Sequence, residues 1–335
     1  MTTLAIAAEG LRKSYRDKKG EKVVLDGIDL AVPEGTIFSL LGPNGAGKTT
    51  AVQILSTLIR ADAGEVRVAG FDLVRQADDV RGAIGVTGQY SAVDKLLTGE
   101  ENLLLMADLR HLPKREGKRK AAELLEKFDL VDAARKPAST YSGGMQRRLD
   151  LAMTLVGDPR LIFLDEPTTG LDPRSRRAMW GIVRDLVRDG VTIFLTTQYL
   201  EEADELADRI ALLDHGQLIA EGTADELKRR IPGGHILLRF ADPGRLDAAL
   251  LALGVGTPDP EALTLQVPSD GGVRVIRDVL AVLDEHSIEV DEMSVHTPDL
   301  DDVFLTLTGR QADQDTADQK PADQNKADQN KEALR

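Results

Sequence analysis

The chain has 335 residues, 42% of them hydrophobic and 29% charged, which is ordinary for a globular protein with room for two domains. No apolar run reaches the ~20 residues of a membrane-spanning helix, and no basic segment precedes an apolar one at the N-terminus, so we expect a soluble intracellular protein without a signal peptide. The lack of cysteine excludes disulfides and cysteine-ligated zinc, and the net charge of −14 argues against a nucleic-acid partner.

Residues 1–230 alternate short apolar segments with helical patterns, which predicts an α/β fold for a first domain. Apolar runs at residues 36–41 and 191–195 have the length of buried strands. Residues 50–58 follow the first of these runs with the pattern of a helix.

A glycine-rich loop joins that strand to that helix. Its sequence, Gly42-Pro43-Asn44-Gly45-Ala46-Gly47-Lys48-Thr49, fits the phosphate-binding pattern G-x-x-x-x-G-K-[ST]. Glycines let backbone N–H groups approach phosphate closely, Lys48 can reach the β- and γ-phosphates, and the Thr49 hydroxyl can ligate Mg²⁺. The loop predicts a site for ATP and Mg²⁺. We assign nucleotide contacts to Gly42, Pro43, Asn44, Gly45, Ala46, Gly47, Lys48, Thr49 and Thr50.

Two acids end another apolar strand, at residues 161–164. By itself this pattern is typical of a helix cap, but a phosphate-binding loop upstream favours a catalytic role. We expect Asp165 to hold Mg²⁺, directly or through water. Glu166 is then placed to polarise the attacking water as the general base.

A second candidate anion site precedes an amphipathic helix. Tyr141-Ser142-Gly143-Gly144-Met145-Gln146 is followed by apolar residues at helical spacing. Here the sequence resembles the ABC ATPase family, whose signature motif reads similarly. In that family the signature of one subunit covers the γ-phosphate held by the other subunit. The resemblance therefore implies a homodimer with composite ATP sites, with contacts from Ser142, Gly143, Gly144 and Gln146.

The resemblance covers about residues 4–225 and implies further roles. Tyr15 lies where the family places a ring that stacks on adenine, although an ordinary strand tyrosine is the alternative. Gln89 matches the residue that senses Mg²⁺ and the attacking water and touches the membrane subunit. Asp172 matches the loop that crosses the dimer interface, and residues 90–157 correspond to the helical subdomain that carries the signature.

Gln198 departs from the family pattern, because the family usually has a γ-phosphate-contacting histidine there. A glutamine amide can donate to a phosphate oxygen and accept from water, as a neutral imidazole can. We therefore predict that Gln198 is the γ-phosphate sensor and Glu166 the only base. The alternative is that Gln198 ends its strand and faces water.

A breaker cluster at residues 231–234 predicts a domain boundary, followed by a small α+β accessory domain over residues 231–310. The predicted strands there are residues 235–240, 262–267 and 288–294, and the predicted helices are residues 245–253 and 273–286. Thr297-Pro298-Asp299 predicts a last helix with Thr297 as its cap, closed by Gly309. Residues 311–335 contain four five-residue repeats that begin Ala-Asp-Gln, and we predict a disordered tail.

The segments 198–204 and 300–305 are similar to those of daunorubicin/doxorubicin-type drug-resistance exporters. That similarity implies an ATPase on the cytoplasmic face of the membrane, which powers export of a drug-like or lipophilic compound through a separate membrane-spanning subunit. Two alternatives are a non-transport ABC ATPase that acts on ribosomes or damaged DNA, and a nucleotide-sensing regulator without turnover. The single P-loop, the acidic charge and the absence of cysteine argue against the first, and Glu166 argues against the second.

Overall fold

The computed structural model describes residues 3–17, 20–88, 92–231, 234–269 and 272–309. Gln89, the centre of the predicted domain boundary and the predicted tail lie outside these ranges. Within them, no helix is both long enough and apolar enough to cross a membrane.

Strands and helices alternate along most of the described chain. The strands are β1 (Leu4–Asp17), β2 (Gly20–Pro33), β3 (Ile37–Leu41), β4 (Ala63–Val68), β5 (Phe71–Asp72), β6 (Ile84–Thr87), β7 (Leu161–Asp165), β8 (Thr192–Thr197), β9 (Arg209–Asp214), β10 (Gln217–Gly222), β11 (His235–Arg239), β12 (Thr257–Asp259), β13 (Thr264–Pro268) and β14 (Glu292–His296). The α-helices are α1 (Lys48–Leu55), α2 (Ala77–Ala83), α3 (Gly99–Leu109), α4 (Lys114–Lys127), α5 (Gly143–Thr154), α6 (Pro173–Arg188), α7 (Leu200–Leu206), α8 (Ala224–Lys228), α9 (Pro243–Leu253), α10 (Val273–Glu285) and α11 (Leu300–Thr308).

A six-stranded sheet in the order β10-β9-β3-β8-β7-β6 forms the centre of the fold. Strand β10 runs antiparallel to β9, and the other neighbours are parallel. Every residue of β3, β7 and β8 is buried, because both faces of the sheet are covered. The predicted α/β fold with a mixed sheet is confirmed. Since β3, β7 and β8 are parallel, their carboxyl ends meet at one edge, and the loops that follow them share that edge.

Different layers cover the two faces of this sheet. On one face, the antiparallel sheet β2-β1-β4-β5 and helix α1 pack against Phe38, Phe163 and Phe194. These rings lie on neighbouring strands, and the Phe194 centroid is 5.6 Å from each of the other two. On the opposite face, α3 to α6 pack against side chains that include Ile162 and Leu195. Successive side chains of a strand point to opposite faces of the sheet, so each of these apolar strands contributes side chains to both cores.

A third sheet, in the order β12-β13-β11-β14, forms the C-terminal α+β region. All its strand pairs are antiparallel, and α9 and α10 share its core, which gives a β-α-β-β-α-β arrangement. Two strands start later than predicted. Leu263 has a left-handed φ of +54°, so β13 begins at Thr264. Ile288 packs against the core from an irregular segment, so β14 begins at Glu292.

The last helix, α11, returns to the first part of the chain. Its N-cap is Asp299, which forms a capping box with Asp302, so the prediction of Thr297 as the cap was wrong. Gly309 ends the helix in a left-handed conformation, as predicted. Leu300 and Val303 are buried in a cluster with side chains of α7, α8, β9 and β10. The predicted second region therefore holds one part with its own core and one helix that packs on the central sheet.

Candidate functional site

The phosphate-binding loop follows β3 at the carboxyl edge of the central sheet. Gly45 and Gly47 have left-handed φ values of +82° and +116°, which side chains rarely adopt. A Cβ atom on Gly42 would lie 2.2 Å from the carbonyl oxygen of Leu213, so only glycine fits there. Helix α1 begins at Lys48, two residues earlier than predicted, because Gly47 serves as its N-cap. The loop therefore leads directly into a helix N-terminus, which favours anion binding.

Lys48 lies inside this loop and is only 4% exposed. Its Nζ donates to the carbonyl oxygens of Gly42, at 2.7 Å, and Pro43, at 3.1 Å. Burial lowers the pKa of Lys48, while the charges of Glu166 and Asp165 act in the opposite direction. The ammonium group is thus held at the centre of the loop, where a bound phosphate would meet it.

Asp165 and Thr49 provide oxygen atoms beside Lys48. Thr49 Oγ1 lies 3.4 Å from Asp165 Oδ1, which also accepts a hydrogen bond from Thr196 Oγ1 at 2.5 Å. The Asp165 carboxylate is buried, whereas Thr49 is exposed toward the site. A hydroxyl and a carboxylate at this spacing are the hard oxygen donors that suit Mg²⁺. The residues present therefore fit the predicted metal.

Glu166 follows β7 in a left-handed conformation, with φ at +49°, which is uncommon for a residue other than glycine. Its N–H donates to Thr196 O at 3.1 Å and to Thr196 Oγ1 at 3.2 Å. Its Oε1 lies 3.7 Å from Lys48 Nζ, and its Oε2 accepts from Thr169 Oγ1 at 3.4 Å. The left-handed backbone at Glu166 thus accompanies a carboxylate that lies beside Lys48.

Gln198 lies just beyond the carboxyl end of β8, at the edge where Glu166 follows β7. It is half-buried, and its side chain makes no hydrogen bond to another residue that the structure describes. The next residue, Tyr199, is fixed by a hydrogen bond from its N–H to Thr197 Oγ1 at 2.9 Å. The sensor role of Gln198 stays a prediction.

We expect Gln198→Ala to lower ATP turnover about 10–1,000-fold and to leave ADP affinity nearly unchanged, because the predicted contact involves only the γ-phosphate and the transition state. Gln198→His should stay active and gain a pH dependence near the ordinary histidine pKa of about 6.5. Steady-state phosphate release and ADP binding measure both effects. The exposed Gln217→Ala serves as the control, and wild-type turnover in Gln198→Ala would contradict the sensor role.

Tyr15 projects from β1 and is 44% exposed. It pairs in register with Lys22, and Lys22 lines a cavity of about 270 Å³ together with residues 43–46 of the phosphate-binding loop. Lys13 Nζ lies 5.5 Å from the centroid of the Tyr15 ring. An exposed ring near this cavity is suited to stacking on a base, so adenine stacking stays a prediction for Tyr15.

The signature residues lie at the start of α5. Ser142 is the N-cap and accepts a hydrogen bond from Met145 N at 3.3 Å. Ser142 and Gly143 are exposed, and none of their hydrogen bonds in the described chain reaches the phosphate-binding loop. Gln146 instead turns inward, since its Nε2 donates to the carbonyl oxygens of Ala138 and Tyr141. The exposed helix start thus offers N–H groups to a ligand outside its own chain.

Asp172 is the N-cap of α6 and is a neighbour of the signature. It accepts hydrogen bonds from Ser175 N at 2.9 Å and from Ser175 Oγ at 2.6 Å, and these bonds lower the pKa of Asp172. A Cβ atom on Gly144 would lie 2.8 Å from Ser175 Oγ. The absence of a side chain at Gly144 therefore lets the signature lie against this capped turn.

A hydrogen-bond network that the sequence did not predict lies behind the carboxyl edge of the central sheet. Glu202 of α7 is fully buried, and its Oε1 accepts from Thr168 Oγ1 at 2.8 Å and Trp180 Nε1 at 3.0 Å. Burial raises the pKa of Glu202, while hydrogen bonds from Thr197, Thr168 and Trp180 act in the opposite direction. Thr168 is two residues beyond Glu166, so the network joins the Glu166 loop to the helix after Gln198.

Thr196 is the second residue that the sequence did not single out. Its buried hydroxyl donates to Asp165, and the Glu166 N–H donates to the same hydroxyl oxygen. One threonine thus orients both predicted catalytic acids. The sequence signal that could have identified Thr196 is a polar residue at the end of an apolar strand.

Comparisons with known proteins find related sequences and structures. The family described as ABC transporter matches residues 25–169. The chain is 50% identical over 311 residues to the daunorubicin resistance ATP-binding protein DrrA3 of Streptomyces coeruleorubidus, which covers 92% of this chain and 97% of that protein. It is also 48% identical over 319 residues to the daunorubicin/doxorubicin resistance ATP-binding protein DrrA of Streptomyces peucetius, covering 93% of this chain and 94% of that protein.

Among solved structures, the chain is similar to the ATP-binding cassette MJ0796, described as dimeric in a post-hydrolysis state with bound ADP and phosphate. The TM-score is 0.60 at 27% identity, and the match covers 65% of this chain and 98% of that one. The chain thus resembles ATP-binding cassettes in the arrangement of its whole nucleotide-binding fold as well as in its sequence motifs.

Proposed function

The chain belongs to the ATP-binding proteins of ABC transporters, in the daunorubicin and doxorubicin resistance group, and from this membership we propose that its ATP hydrolysis drives export of a drug-like or lipophilic compound. The observation that carries the proposal is the approach of Glu166 Oε1 to within 3.7 Å of Lys48 Nζ at the carboxyl edge of the sheet. A carboxylate beside a phosphate-binding cation is placed to act on a water at the γ-phosphate.

Each residue at this edge has a role in hydrolysis. Lys48 gives up its carbonyl partners and binds the β- and γ-phosphates. Glu166 polarises the attacking water, and Gln198 donates to a γ-phosphate oxygen. Thr49 and Asp165 would hold Mg²⁺, which would neutralise charge on the phosphate oxygens.

The exposed signature supports a homodimer as the active form. Ser142 and Gly143 offer their helix start to a ligand that their own phosphate-binding loop does not bring to them. Two copies arranged head-to-tail place each signature over the ATP held by the other copy, with Asp172 at the interface. The chain acts at the cytoplasmic face of the membrane, where a separate membrane-spanning subunit carries the exported compound.

A drug-accumulation assay tests this function. Cells that produce the chain together with a candidate membrane-spanning subunit are loaded with daunorubicin, and the retained fluorescence is measured. We expect less retention with the wild-type chain than with Glu166→Gln, because only the wild type can turn over ATP. Equal retention at equal protein abundance, for daunorubicin and for other lipophilic cations, would contradict drug export.

A further inference from the structure

A buried ion pair on α5 lies next to the catalytic segments and has no part in the function proposed so far. Arg147 Nη1 lies 3.1 Å from Asp150 Oδ2, and the two side chains are 11% and 3% exposed. They are three residues apart and so share one face of the helix. A buried ion pair is weak evidence for stability, because desolvation offsets its attraction. The role of this ion pair therefore depends on the other contacts that its two side chains make.

The guanidinium of Arg147 binds the backbone on both sides of Glu166. Its Nε donates to Pro167 O at 2.9 Å, and its Nη2 lies 3.3 Å from Asp165 O. Because a guanidinium is planar and rigid, these two bonds fix the distance and angle between the two carbonyl groups. The peptide group that precedes Glu166 and the carbonyl group of the residue that follows it are thus held from the signature helix.

This bracing matters because Glu166 has an unfavourable backbone conformation. A left-handed backbone is unfavourable for a residue other than glycine and persists only where the surroundings enforce it. Thr196 accepts from the Glu166 N–H, and Arg147 donates to the carbonyl oxygens of the residues on either side of Glu166. Relaxation of the backbone would swing the Glu166 carboxylate away from Lys48.

The same ion pair also contacts the chain before and after Gln89, another residue predicted to be catalytic. Arg147 Nη1 donates to Gly88 O at 3.0 Å, and Asp150 Oδ1 accepts from Ala92 N at 3.0 Å. Gly88 directly precedes Gln89. One ion pair therefore contacts the backbone of two segments that carry predicted catalytic residues.

We propose that Arg147 is a positioning residue that keeps Glu166 in its catalytic geometry, with Asp150 as its counter-charge. The proposal rests on the hydrolytic role of Glu166 proposed above. Arg147 acts through the backbone of Asp165 and Pro167.

Arg147→Met tests the proposal, because methionine keeps much of the side-chain volume and loses all of the donors. We expect ATP turnover to fall about 10–100-fold, the scale on which small misplacements of catalytic groups act, with less than about a threefold change in the KM for ATP. Arg147→Lys should recover part of the turnover, since an ammonium can bind one or two of the same carbonyls.

Arg148→Met is the matched control. Arg148 lies next along α5, and its Nη1 also binds backbone carbonyls, those of Phe128 and Asp129. Both carbonyls belong to the helical region, away from Glu166. We expect Arg148→Met to lower the melting temperature less than Arg147→Met, because its carboxylate partner Asp129 is 96% exposed whereas Asp150 is buried. Arg148→Met should keep wild-type turnover at temperatures where the protein is folded.

Amide hydrogen exchange provides a readout that does not need turnover. In the nucleotide-free protein, exchange at the Glu166 amide should be faster in Arg147→Met and unchanged in Arg148→Met. Equal turnover and equal exchange in the two variants would overturn the positioning role. Absence of ATP hydrolysis by the unsubstituted protein would instead overturn the proposed function, while faster exchange confined to Arg147→Met would still support the bracing of Glu166.

Discussion

Replacing Glu166 with glutamine is expected to lower ATP turnover by at least about 100-fold, the scale of losing a general base. The amide keeps the size and shape of the carboxylate, so the left-handed backbone and the bond from Thr169 can persist. Lys48, 3.7 Å from Glu166 Oε1 in the wild type, also loses a negative neighbour and should bind phosphate at least as well. ATP should therefore stay bound and hold two copies together. Phosphate release and the ATP-dependent shift from monomer to dimer in size-exclusion chromatography measure the two effects.

The matched control is Glu201→Gln, which changes an exposed acid of α7 whose side chain is 69% exposed. This variant should keep wild-type turnover and should not trap a dimer. If Glu166→Gln hydrolysed ATP at the rate of Glu201→Gln, Glu166 would not be the base, and the catalytic assignment would have to move to another group at the sheet edge.

Local patterns predicted the elements that carry the site. The apolar run at residues 36–41 corresponds to β3, which begins one residue later at Ile37. Buried parallel strands appear in a sequence as continuous apolar runs, and a glycine-rich loop between such a strand and a helix has few other interpretations. The signature helix was equally accessible, because Ser142 and the two glycines after it form a cap and start pattern.

Long-range packing could not be predicted from the sequence in the same way. Helix α11 was predicted from its caps, but nothing in its sequence states that Leu300 packs with α7 and α8 rather than with the C-terminal sheet. Asp150 gave a faint signal, since it is a charged residue between two buried leucines of α5. Besides Arg147, Asp150 binds the backbone N–H of Ala92, which is 58 residues away, and the sequence does not show which backbone group a side chain will bind.

If each ATP site combines the phosphate-binding loop of one copy with the signature of the other, mixing two inactive variants is expected to restore ATP turnover. Lys48→Ala removes the buried cation of the phosphate-binding loop and leaves the negative charge of Glu166 without its neighbour, so phosphate binding should be lost. Gly144→Asp places a carboxylate at the signature, where the phosphate of the other copy is expected, and like charges repel. Each variant alone should therefore have no measurable turnover.

Mixing should restore activity, because a heterodimer joins the intact loop of the Gly144→Asp copy to the intact signature of the Lys48→Ala copy. With random pairing at equal amounts, about half of the dimers are heterodimers with one working site of two, so about a quarter of the wild-type turnover is expected. Gly144→Asn is the matched control: a Cβ there approaches Ser175 Oγ to 2.8 Å in both variants, and only the aspartate adds a charge. Partial activity in Gly144→Asn assigns the loss to the charge. No recovery at any mixing ratio, with heterodimers demonstrated by differently tagged copies, would show that the signature does not act on the ATP bound by the other copy.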